Sequence, residues 1–164
     1  MGALRIILIV LLVALQAFVG IPDFMNEGPY LQRALAYSFF HAGWLHLAVN
    51  CLAIWGVYGR GRKPLRDLIL SLFVAVLVYP LSIMPVIGFS NVLYCTLGLR
   101  VPPFSHPWWK SHNAVIFIVA TLAMGFIPRI SASTHIAAFL CGMLLSYILR
   151  YLHNITQDAR RYYK

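Results

Sequence analysis

The sequence predicts an all-α membrane protein, a bundle of six transmembrane helices whose short central fourth helix starts inside the membrane. Three observations carry this prediction. Of the 164 residues, 61% are hydrophobic and 10% charged, and the mean hydropathy is +0.79, values of polytopic membrane proteins rather than soluble domains. The basic residues are distributed unevenly between the apolar stretches. Eleven of the thirteen (Arg5, Arg60, Arg62, Lys63, Arg66, Arg100, Lys110, Arg150, Arg160, Arg161 and Lys164) fall on one side, and only Arg33 and Arg129 on the other. This is a positive-inside bias, and it places both termini in the cytoplasm. It also explains the formal charge of +9 without a nucleic-acid partner. Third, the uncharged run Leu68–Leu99 is broken by Pro80, Pro85 and Gly88 and is too long for one helix of ~20 residues.

The chain reads as a single membrane domain over residues 1–164, with no repeat and no linker. The first span, about 4–20, begins with Arg5 and ends before Pro22. It shares a basic start and an apolar core with a cleavable signal peptide, but no A-x-A-like site precedes Pro22 and the later spans need this one to fix their polarity. Residues 21–40 lie outside, where Phe24, Tyr30, Tyr37, Phe39 and Phe40 suit an interfacial segment. The second span, 41–58, opens with polar groups. His46 and Asn50 are four residues apart and share a helix face, and His41 sits off that line, nearer the outer surface. A basic turn closed by Pro64 leads to the third span, 67–80. The fourth, 90–99, is only about 15 Å long at the usual helical rise, half a bilayer. A loop of 100–113 with Pro102, Pro103, His106, Pro107, Trp108, Trp109 and His112 precedes the fifth span, 114–127. The sixth, 133–151, carries His135 near its outer end, with Ala138 and Gly142 on nearly the same face. Cys51, Cys95 and Cys141 have no CxxC spacing and read as small core residues.

Ser90 therefore falls in the first turn of a helix that begins at membrane depth, where irregular backbone persists only beside protein or a wet cavity. The first N–H groups of that helix have no intrahelical acceptor, so a nucleophile and oxyanion donors lie side by side. His135 is the candidate base, reached through a close approach of the last helix at Ala138 and Gly142 to the face carrying Ser90, Tyr94 and Gly98. Beyond Asp67 at the very start of the third span, no Asp or Glu lies inside a span to complete a triad, and Tyr94 is placed to orient the imidazole. His46 and Asn50 read either as an interhelical hydrogen-bonded pair or as oxyanion donors. No HExxH or intramembrane carboxylate pair suggests a metal, and no repeat suggests a transporter.

These residues make the chain resemble the rhomboid intramembrane serine proteases of the minimal six-helix kind. The second span matches the family's H-x4-H-x3-N pattern through His41, His46 and Asn50. Gly88 and Ser90 match its G-x-S, followed by Tyr94 and Gly98, and His135, Ala138 and Gly142 match its last helix. Arg33 falls where the family has the arginine of a W-R pair. The resemblance implies Ser90 as nucleophile, His135 as general base, and His46, Asn50 and the Ser90 N–H as the oxyanion hole. His41 would be a supporting residue near the water path. It implies cleavage of transmembrane segments of other proteins near their outer ends, within the lipid bilayer and without metal or organic cofactor. The expected setting is the cytoplasmic (inner) membrane of a bacterium; nothing in the sequence sets an oligomeric state. A non-catalytic rhomboid-like module that binds or chaperones membrane proteins is the alternative. Asn91 stands where the pattern has glycine, Gln32 replaces the tryptophan and Ala138 a glycine. The Asn91 side chain is expected to line the substrate groove rather than the hole.

Overall fold

The structure, a computed structural model, describes residues 2–59, 63–82, 87–101, 111–124 and 131–162. Arg60 and Arg62, Pro85, the loop prolines with His106, Trp108, Trp109 and Lys110, and the end of the fifth span with Pro128 and Arg129 lie outside the described residues. Those that are described form α-helices and short 3-10 turns: α1 (Ala3–Phe18), α2 (Phe24–Glu27), α3 (Tyr30–Ala36) running into a 3-10 turn (Tyr37–Phe39), α4 (Trp44–Gly59), α5 (Pro64–Val78) running into a second (Tyr79–Leu81), α6 (Ser90–Leu99), α7 (His112–Met124) and α8 (Ala132–Tyr162). Among the described residues there is no strand.

Helix boundaries follow local chemistry, with three departures from the sequence reading. Helix α4 starts at Trp44, so His41 precedes it in an extended link; Phe40 has φ −106° and ψ 151°, and the chain turns by 70° between the α3 segment and α4. Helix α5 starts at Pro64 rather than 67, because proline at the first helical position gives up no hydrogen bond. Pro80 then tightens the exit into a 3-10 turn. Helix α8 runs past 151 to Tyr162, since no Gly or Pro after Tyr151 interrupts it.

Among the described residues two helical stretches, Pro64–Leu81 and Ala132–Gln157, are long and apolar enough to cross a membrane, and a third if the bent pair Tyr30–Phe39 and Trp44–Gly59 is one span. Their apolar stripes face outward. On α5, Leu65, Ile69, Phe73 and Leu77 are exposed at four-residue intervals while Val74, Ala75 and Val78 are buried; on α8, Ile136, Leu140 and Leu144 are exposed while Ala138 and Phe139 are buried. Contiguous apolar surface of this kind matches hydrocarbon rather than water.

Helix α6 is the axis of the packing. Every residue from Asn91 to Leu99 is buried, and α4, α5, α7 and α8 all contact it. Among the polar side chains of this buried helix Thr96 is fully paired: its Oγ1 lies 2.9 Å from both Tyr58 Oη and Ser71 Oγ and donates to the Val92 carbonyl at 2.9 Å.

At its C-terminal end, Arg100 Nε donates to Asp67 Oδ2 at 3.1 Å, and its guanidinium also reaches the Val57 carbonyl. The Asp67 side chain is 4% exposed and also meets Arg66 at 2.8 Å, whose own side chain is 46% exposed. The Asp67–Arg100 pair thus ties the start of α5 to the ends of α4 and α6. Asp67→Asn leaves Arg100 without its counter-charge and is expected to destabilise the fold by ~3–5 kcal/mol, as for other buried pairs broken on one side. Arg66→Ala, at an exposed partner, should cost at most ~1 kcal/mol. Thermal unfolding in detergent of the two variants checks the contrast.

Candidate active site

The segment before α6 is shaped by Gly88. Its φ of +130° favours glycine, and a Cβ there would sit 2.6 Å from His46 Cε1 and 2.8 Å from His46 Nε2. The imidazole of His46 therefore lies over the Gly88 α-carbon, two residues before Ser90. The Gly88 N–H donates to the Tyr37 carbonyl at 2.9 Å, and the Phe89 N–H to His41 Nε2 at 3.4 Å. His41 is fully buried with its ring edge-on to that of His46 at 5.2 Å. It therefore supports the loop from the link before α4, not from the α4 face.

Ser90 opens α6, and its Oγ lies 2.7 Å from His135 Nε2, joining residues 45 positions apart. His135 is on the first turns of α8 and is 3% exposed. Close helix approach makes the contact possible. A Cβ on Gly98 would overlap the Phe139 carbonyl oxygen, and one on Gly142 the Cys95 carbonyl oxygen, so each glycine admits the backbone of the other helix. Ala138, between His135 and Gly142, is fully buried. Below the pair, the Tyr94 ring packs on the imidazole at 4.7 Å and 40°. Tyr94 in turn meets Phe117 edge-on at 5.6 Å, and Phe117 stacks on Phe139 at 3.7 Å. The imidazole is thus set against an aromatic series spanning α6, α7 and α8. The nearest role for the buried Asp67 is the Arg100 pair at the opposite end of α6, so it does not serve His135.

Asn50 is buried, and one of its amide N–H groups donates to the His46 carbonyl at 2.9 Å, a bond within α4. The structure thus brings His46 to the Ser90 loop, while Asn50 braces the backbone beneath it and keeps one N–H for another acceptor. Asn91 differs from the expectation of a groove residue. Its side chain is fully buried, and its Nδ2 donates to Tyr37 Oη at 3.0 Å. The residue after a helix's first position points about 100° away from it; with Ser90 facing α8, Asn91 faces the α3 segment instead of open space. The sequence marks Tyr37 only as an interfacial aromatic, and no local signal pairs it with Asn91 across 54 positions. Among the described residues no group of three or more His, Cys, Asp or Glu could hold a metal.

Fold and site together define an all-helical integral membrane protein in which two packed helices hold a serine against a histidine. The Rhomboid domain model matches residues 29–152, and the chain belongs to the rhomboid family. It is similar to RHOMBOID-like protein 5 of Arabidopsis thaliana, 25% identical over 134 residues that cover 71% of this chain and 43% of the plant protein. The chain thus spans less than half the length of that relative.

Proposed function

We propose that this protein is an intramembrane serine protease that cleaves transmembrane segments of other membrane proteins near their outer ends. The observation that carries the reading is the 2.7 Å contact between Ser90 Oγ and His135 Nε2 at the start of α6. With Nε2 unprotonated, the Ser90 hydroxyl donates to it, and the imidazole takes the proton as Oγ attacks a peptide carbonyl. The oxyanion forms beside the first N–H groups of α6, which have no intrahelical acceptor, with His46 and Asn50 as further donors. Protonated His135 then gives its proton to the leaving amine, and an ester remains on Ser90. Water, deprotonated by His135, attacks that ester and releases the new carboxylate with Ser90 restored. A non-catalytic binding module has no need of a serine and a histidine in contact, which is what favours the protease. The test is reconstitution in liposomes with membrane-spanning reporter segments: cleavage at a single site supports the reading, and intact reporters across a broad panel count against it.

The oxyanion role of His46 has its own consequence. Removing one such donor costs ~10²–10³ in kcat elsewhere, so His46→Ala should retain measurable turnover. Steady-state cleavage kinetics against wild type check this; an unchanged rate would leave His46 a packing residue over Gly88.

We further propose six crossings (about 4–20, 41–58, 67–80, 90–99, 114–127 and 133–151) with both termini cytoplasmic, supported by the eleven-to-two split of basic residues. Reporter fusions after Tyr58 and Arg100 should then report the cytoplasm, and fusions after Pro29 and Arg129 the opposite side. A fusion after Tyr58 that reports the outer side would overturn the six-span arrangement.

A further inference from the structure

Tyr37 holds the chain on both sides of Ser90. Its carbonyl accepts the Gly88 N–H at 2.9 Å, and its hydroxyl accepts from Asn91 Nδ2 at 3.0 Å. That hydroxyl has a single proton, which it donates to the Ala75 carbonyl on α5 at 2.8 Å, so the direction of the Asn91 bond is fixed. Tyr37 is itself immobilised: it is fully buried, with the Tyr79 ring 4.9 Å from its own. Asn91 is also fully buried, and a buried amide is held to its partner by the cost of leaving it unpaired.

We infer that Asn91 and Tyr37 are positioning residues for the nucleophile: the Asn91 amide, anchored through the Tyr37 hydroxyl to α5, sets the rotation of the first turn of α6 that keeps Ser90 Oγ against His135. This rests on the serine-protease reading. The geometry sets the scale. Helix Cα atoms lie ~2.3 Å from the axis, so a turn of roughly 25° moves the Ser90 Cα by about 1 Å and its Oγ further. Displacement of about 1 Å at a reacting group can cost ~10² in rate. Glycine, the residue of the family pattern at this position, offers no side chain through which to fix that rotation. This chain fixes it with a hydrogen bond.

The test uses the purified full chain in detergent and a fluorophosphonate probe, with the maximal inactivation rate (kinact) and half-saturating concentration (KI) measured for wild type, Asn91→Ala, Tyr37→Phe and the double variant. Expected is a fall in kinact of roughly 10- to 100-fold in each single variant, with KI unchanged. The double variant should be no slower than the slower single one, because both remove the same bond. A purely structural role would lower the fraction of reactive protein and leave the kinact of that fraction at the wild-type value; that result overturns the inference, as does kinact within twofold of wild type in both single variants. If Asn91→Ala does not accumulate, Tyr37→Phe carries the test, since it keeps the buried ring and the Gly88 bond. Wild type that fails to react at Ser90 overturns the protease reading itself, and this inference with it.

Discussion

Ser90→Ala is expected to abolish cleavage, lowering kcat by about 10⁶, and His135→Ala to do nearly the same, because members of a nucleophile–base unit fail together. The double variant should be no worse than either single one. For Ser90→Ala folding should be little affected. Ser90 is only partly buried, and loss of one hydrogen bond costs ~1 kcal/mol, small beside the packing of an α6 whose other nine residues are all buried. Cleavage of a membrane-spanning reporter in liposomes, alongside thermal unfolding in detergent, separates the two effects. A Ser90→Ala variant that cleaves at the wild-type rate would remove Ser90 from the mechanism.

Gly142→Val is expected to prevent the native α6–α8 packing altogether. The added Cβ meets the Cys95 carbonyl oxygen and comes within 3.0 Å of the Leu99 nitrogen; both are backbone atoms of a buried helix and cannot rotate aside. Gly98→Val meets the Phe139 carbonyl oxygen and the Met143 nitrogen in the same way. Overpacking of a core ordinarily costs ~1–3 kcal/mol, but here relief requires the two helices to separate, so a loss above ~4 kcal/mol is expected. Separation also draws Ser90 away from His135, so any folded remnant should be inactive. Gly56→Ala is the control: nothing lies within 4 Å of its new Cβ, and alanine is the better helix former by roughly 0.5–1 kcal/mol. Yield of monodisperse protein and unfolding temperature should drop for the two valine variants and hold or rise for Gly56→Ala.

What the sequence made legible was local or periodic. Gly88 and Arg100 bracket an uncharged segment too short for a full crossing, and the helix there is Ser90–Leu99. Glycines at helical spacing marked faces open to close approach, and Gly98 and Gly142 each receive the other helix's backbone. Contacts between distant segments were not legible. Periodicity assigns Asn91 to a face of α6 but does not say that Tyr37, from a segment read as interfacial, lies against it. Asp67 stands at the start of the third span in the sequence, and only the fold brings it to Arg100, 33 positions away. The sequence puts His41 at the head of the second span because nothing local in it marks where the helix begins. The extended backbone at Phe40 puts His41 outside α4 and within reach of the Phe89 N–H.

A Ser90 nucleophile activated by His135 leaves a direct chemical signature. The most direct measurement needs no substrate: purified protein in detergent is treated with a fluorophosphonate, digested, and the adduct located by mass spectrometry. One adduct is expected, on Ser90, formed by wild type and lost in His135→Ala. An adduct confined to another serine such as Ser71 or Ser133, or equal labelling of Ser90 when His135 is alanine, would contradict it.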